Sequence, residues 1–212
     1  MDYYPMMVDL RNRPCTVVGG GAVAARKVAA LLACGASVTV ISPELAPQLQ
    51  QWTREGRITA FTRPYREGDL AGAFLVMSAT DDEQVNKAAA AEAGRCGLLL
   101  NVADAPRRGN FIVPAVIEQG PLVITVSTGG ASPALAKKIR RELADKFGPE
   151  YGIFLTLLAK VRAQVAGGAK TRAERQQLWE DLVNSDLLSL IAEGRIEEAE
   201  EKIQRAVNRI GT

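Results

Sequence analysis

The sequence predicts an α/β protein: a doubly wound parallel sheet, then a small intermediate segment, then an all-helical C-terminal part. Three observations carry this. Short continuous apolar runs, several rich in β-branched residues, alternate with helix-like stretches across the first 110 or so residues, as in a parallel sheet covered on both faces. A triple-glycine turn links the first run to an alanine-rich stretch. From Tyr151 to Arg209 no strand pattern appears, and apolar residues recur at helical spacing.

The elements follow in order. Cys15 to Val18 reads as a buried strand, and Ala22 to Ala33 as a helix closed by Gly35. Ser37 to Ile41 is a β-branched second strand. A helix over Leu45 to Glu55 and a strand over Arg57 to Phe61 come next. Phe74 to Met77 is a fourth strand, followed by a helix from about Glu83 to Cys96 that Asp81 or Asp82 is placed to cap. Leu98 to Val102 is a fifth strand and Leu122 to Val126 a sixth. Ser132 and Pro133 read as N-cap and first residue of a helix. Ile153, Phe154, Leu157, Leu158, Val161 and Val165 mark the next helix, which Gly167-Gly168 breaks. Thr171-x-x-Glu174 is a capping box. Two further helices run over Asp186 to Ala192 and Ile196 to Ile210. Each C-terminal helix has one apolar stripe, which predicts packing together or against a second subunit. A homodimer is the expectation.

The composition narrows the function. A net charge of +2 over 212 residues is too mild for a nucleic-acid reader. No apolar run approaches the ~20 residues of a membrane span, and the N-terminal MDYYPMMVDL has no signal-peptide pattern. Three widely spaced cysteines suit reduced thiols in the cytoplasm. The chain has no histidine, so carboxylates are the expected proton carriers.

Gly19-Gly20-Gly21-Ala22-Val23-Ala24 fits G-x-G-x-x-A after a strand and before a helix, the Rossmann fingerprint. Gly19 allows the tight turn, Gly21 lets backbone approach a pyrophosphate, and Ala24 allows close packing of helix on strand. Arg26 and Lys27 lie a turn into the helix and are secondary. Where an acid usually holds the adenine ribose, this chain reads Ser42-Pro43-Glu44, with no arginine following immediately. NAD is therefore expected over NADP.

Two further segments stand out. Asn101 to Pro106 follows the fifth strand, where ligands of open parallel sheets bind. Its Asp104 either does chemistry or caps a turn, and position leaves both readings open. Ser127-Thr128-Gly129-Gly130-Ala131-Ser132-Pro133 leads into a helix carrying Lys137, Lys138, Arg140 and Arg141. Hydroxyls, a helix N-terminus and cations together suit a polyanion.

GGGAVAARK at 19 to 27, ATDD at 79 to 82, NVADAP at 101 to 106, FIVPA at 111 to 115 and STGGASPALA at 127 to 136 jointly resemble the precorrin-2 dehydrogenase / sirohydrochlorin ferrochelatase family, which also forms the N-terminal module of siroheme synthase. The resemblance implies NAD-dependent oxidation of precorrin-2 to sirohydrochlorin in sirohaem biosynthesis. Some members also insert ferrous iron. It implies a homodimer whose sites draw on both subunits. It implies an NAD-binding domain over 1–113, a dimerisation and substrate segment over 114–148 and a helical domain over 149–212.

The family's essential aspartate falls on Asp104, and its serine-rich loop on Ser127 and Thr128. Thr128 departs from a frequent serine, and Ala22 from a residue acidic in some relatives. The expected cofactor contacts are Gly19, Gly20, Gly21, Ala22 and Val23, then Ser42, Pro43 and Glu44, then Thr80 and Asp81. Asn101, Arg107, Ser127, Thr128, Gly129, Gly130, Ser132 and Lys137 are expected at the many-carboxylate substrate. No protein metal cage is expected, because the tetrapyrrole nitrogens would ligate the iron. The competing reading, a non-enzymatic dinucleotide-sensing module, explains the glycine loop and a dimer. It does not call for NVADAP or the second glycine loop.

Overall fold

A computed structural model describes residues 3–103, 105–166 and 171–209. The chain divides into two compact units, Met1–Val113 and Pro114–Thr212. Asp104 and the Gly167-Gly168 break lie outside the described residues, as does Ile210.

The first unit holds five strands: β1 (Pro14–Val18), β2 (Ser37–Ile41), β3 (Thr59–Phe61), β4 (Leu75–Ser78) and β5 (Leu99–Val102). They form one parallel sheet in the order β3-β2-β1-β4-β5. The order reverses direction between β1 and β4, which makes that pair the topological switch point. The connecting helices are α1 (Ala22–Ala33), α2 (Pro47–Arg54) and α3 (Glu83–Arg95).

Strand residues alternate between two apolar layers, because successive side chains point to opposite faces. Val17, Val38, Val40 and Met77 pack with Val28 and Leu31 of α1 and Leu49 of α2. Val18, Val76, Leu100 and Val102 pack with Ala89 and Ala93 of α3 and with Leu70. Both faces are covered, so the strands read as unbroken apolar runs. The third strand and second helix are shorter than their sequence signals. Pro47 occupies the first turn of α2, which starts it later than Leu45.

The second unit opens on an antiparallel hairpin, β6 (Ala115–Gln119) with β7 (Leu122–Val126). The sequence pattern marks β7 but not its partner. β6 is half-buried, with Ile117 buried between exposed Val116 and Glu118, and its short period-2 pattern is masked by the apolar FIVPA run before it. Gly120 turns the hairpin at φ +57°. Helices α4 (Pro133–Lys146), α5 (Pro149–Ala166), α6 (Arg172–Val183), α7 (Leu187–Ala192) and α8 (Ile196–Arg209) follow. Phe154, Leu157, Val161 and Val165 of α5 meet Leu178 and Leu182 of α6, Leu187 and Leu190 of α7, and Ile203 of α8 in one cluster. Ile153 is exposed instead. The predicted capping box is present in both directions: Thr171 Oγ1 accepts from Glu174 N, and Glu174 accepts from Thr171 N.

Candidate functional site

The first cluster lies at the C-terminal ends of β1, β2 and β4. Gly19 has φ +120°, and a Cβ there would stand 2.2 Å from Ala79 O. Only glycine fits where the chains after β1 and β4 part. Gly20 is equally confined, since its Cβ would meet Glu44 O at 1.9 Å and Ser42 Oγ at 2.7 Å. Gly20 O accepts from Ala46 N at 2.7 Å, locking the loop onto the β2–α2 turn. Gly21, by contrast, faces open space.

Gly21 is the N-cap of α1, and no side chain caps that end. No acid lies in its first turn. The first N–H groups of α1, with the partial positive charge of the helix end, therefore face the opening beside Ala22 and Val23, both exposed. Ala24 is fully buried against the sheet. An open face at Gly21 and an uncapped helix end fit a dinucleotide pyrophosphate.

The neighbouring turns complete this rim. Ser42 is buried and donates its N–H to Phe61 O, while Pro43 and Glu44 are exposed. At the end of β4, buried Ser78 donates to Asn86 Oδ1 at 2.6 Å, and Asn86 Nδ2 donates to Thr80 O at 2.9 Å. Thr80 is half-buried and Asp81 exposed. Of the two acids offered as caps, Asp82 takes the role, accepting from Gln84 N and Val85 N.

Asn101 is buried on β5. Its Oδ1 accepts from Lys27 Nζ at 2.8 Å, and its Nδ2 donates to Phe111 O at 3.1 Å. Lys27 thus turns inward, while Arg26 is exposed. Sequence reasoning missed this pairing, because nothing local links positions 74 residues apart. Arg107 is exposed. Arg108 instead donates to Glu83 at 2.7 Å, and that guanidinium, with Lys87, holds the Glu83 carboxyl below its usual range.

The second cluster lies within Pro114–Thr212. Gly129 and Gly130 take φ +63° and +87°. Ser127 Oγ accepts from Gly129 N. Thr128 Oγ1 accepts from Ser132 N at 3.0 Å and donates to Ser132 O. Ser132 Oγ caps α4 by accepting from Leu135 N, and Lys137 is exposed one turn on. The hydroxyls at 128 and 132 thus build the loop that presents the start of α4.

Among the described residues no helix is long and apolar enough to cross a membrane.

Three family models match in order. An NAD(P)-binding family covers residues 6–115, a sirohaem biosynthesis protein central segment covers 119–146, and a sirohaem synthase dimerisation region covers 150–207. The siroheme synthase of Methylobacillus flagellatus is 38% identical over 98% of this chain. That of Nitrosococcus oceani is also 38% identical over 98%. This chain spans 44% of the length of each, less than half. The solved structure of SirC, precorrin-2 dehydrogenase, superposes with a TM-score of 0.81 at 28% identity, covering 94% of this chain and 100% of that one. With a glycine-lined switch point in the first of these regions, the chain belongs to the NAD(P)-binding family that it matches over residues 6–115, and it is similar to siroheme synthases and to SirC precorrin-2 dehydrogenase.

Proposed function

We propose that the protein oxidises precorrin-2 to sirohydrochlorin with NAD, in the route to sirohaem. The observation that carries this is the match to SirC along that chain's whole length, joined to a glycine loop that leaves an uncapped helix end open. Gly19 to Val23 hold the pyrophosphate through backbone groups, with Ser42, Pro43 and Glu44 at the ribose and Thr80 and Asp81 along the rim.

A nicotinamide held there would supply the hydride acceptor for the macrocycle. A proton must also leave the macrocycle, and Asp104 takes it or stabilises the positive charge that precedes its loss. Arg107, Lys137 and the Ser127–Ser132 loop meet substrate carboxylates. Asn101 acts at the same end of β5. The dimerisation-region match over residues 150–207 supports a homodimer; 114–148 is proposed as a further dimerisation and substrate segment, and 149–212 as the helical domain.

NAD over NADP is supported by Arg63. Phe61 ends β3 beside Ile41, so Arg63 is the arginine nearest in sequence to that strand end. It is committed to Asp69 through two 2.7 Å bonds, which takes it from a 2′-phosphate.

Anaerobic incubation with precorrin-2 and NAD tests the proposal. NADH should form, and Asp104→Ala should still fold and bind NAD while losing about 10²–10⁴-fold in turnover. Absence of NADH would leave a dinucleotide-sensing module. Ferrous-iron insertion is proposed as a second activity, and adding Fe²⁺ after oxidation should then speed metal loading over a protein-free control.

A further inference from the structure

A buried amide costs free energy unless its polar atoms are paired, so Asn101, buried on the edge strand β5, needs a reason. Its partners supply one. Lys27 belongs to α1, the helix that opens at the glycine loop, and its stem reaches to a side chain on β5, two strands beyond β1. Phe111 is where the chain returns to β5 after the turn over Pro106–Arg108. An ammonium group donates only. It therefore sets Asn101 Oδ1 toward α1 and Nδ2 toward Phe111 O.

We propose that Lys27 and Asn101 are positioning residues: they tie the cofactor helix to the loop between β5 and Phe111 and so set where that loop sits. This rests on the proposed function, in which Asp104, within that loop in sequence, carries the chemistry. The rest of the return is closed by other means. Asn110 completes the free edge of β5, accepting from Leu100 N and donating to Leu98 O through its side chain and to Leu100 O through its own N–H. Gly109 passes so close that a Cβ would stand 2.4 Å from Leu100 O. Those contacts hold loop to strand. Lys27–Asn101–Phe111 holds loop to cofactor helix.

The test uses the full chain with NAD and precorrin-2, comparing Lys27→Met, Lys27→Arg, Asn101→Ala and the double variant Lys27→Met/Asn101→Ala. Lys27→Met should lower kcat by roughly 10–100-fold, the scale of a small misplacement of reacting groups, while KM for NAD stays within about threefold. The double variant should lose no more than the worse single one, because the two residues act as one unit. Lys27→Arg keeps a donor and should recover most of the loss. Additive losses, a kcat within about twofold of wild type, or no rescue by arginine overturn the proposal. Hydrogen exchange of amides 103–111 in the NAD complex gives a readout independent of turnover. Faster exchange in Lys27→Met supports the tie, and unchanged exchange overturns it. If wild type forms no NADH, the proposed function fails, while the exchange result still judges the tie.

Discussion

Gly19 lies against the carbonyl of Ala79, where the chains leaving β1 and β4 separate, and a Cβ on Gly19 would stand 2.2 Å from Ala79 O. The contact is backbone to backbone, so no rotamer change relieves it, and φ +120° adds strain for any L side chain. Gly19→Ala should therefore destabilise the protein by about 2–4 kcal/mol. Denaturant unfolding without cofactor measures this, and a loss within experimental error would show that the loop relaxes freely.

Gly21 makes the opposite case. Its φ is −81°, and a Cβ added there would meet nothing within 4 Å. Gly21→Ala should leave stability within about 0.5 kcal/mol but weaken NADH binding at least severalfold, because the methyl group fills the space a pyrophosphate needs. Paired melting curves and fluorescence titrations would separate the effects, and unimpaired binding would move the dinucleotide elsewhere.

Glu92 shows a structural use of a carboxylate. It is buried on α3 and accepts from the Tyr65 hydroxyl, Gly68 N and Leu70 N. Burial, then the adjoining carboxylate, drives the Tyr65 hydroxyl above its usual range. Glu92→Gln has an oxygen for only one side of this clasp, so one backbone N–H, at Gly68 or Leu70, faces an amide NH₂. The expected cost is about 1–3 kcal/mol, read as a lower denaturant midpoint at unchanged slope.

Several elements were legible because local signals agreed. Gly19 to Ala24 showed its turn, Ser132-Pro133 its helix start, and Thr171-x-x-Glu174 its capping box. What escaped depends on pairing across the chain. β6 needed β7 to be seen as a strand, Glu92 needed a loop 22 to 27 residues earlier, and Lys27 needed Asn101. The sequence singled out Lys27 for its charge beside a phosphate loop. Helical phase turns it inward, and side-chain length takes it to β5.

The three cysteines should differ sharply in reactivity. Cys15 is buried in β1, and burial, with neighbouring Cys34, pushes its thiol up to about 11. Cys34 and Cys96 are exposed. The thiolate is the reactive form. A maleimide at mildly alkaline pH should thus label two thiols in the native protein and the third only on unfolding. Rapid labelling of Cys15 in the native state would contradict its placement.

The Arg63–Asp69 pair links acid stability to cofactor choice. The Arg63 guanidinium holds the Asp69 carboxyl below its usual range, and Arg66 N adds a third bond at 2.7 Å. A depressed folded value means that the unfolded chain takes up the proton first as pH falls. The pair's contribution is complete above the unfolded value of about 3.9 and disappears as pH drops through the folded one. Asp69→Asn should therefore be less stable than wild type at neutral pH, with the gap closing in the acid range. The same variant leaves Arg63 facing one neutral amide oxygen in place of a carboxylate and so loosens its hold beside the end of β3, and the ratio of NADP to NAD turnover should rise. A stability gap that persists unchanged into strong acid would remove the ion pair as its cause. An unchanged cofactor ratio would mean that Arg63 lies too far from the adenosine end to matter, and that Ser42 and Glu44 set the choice.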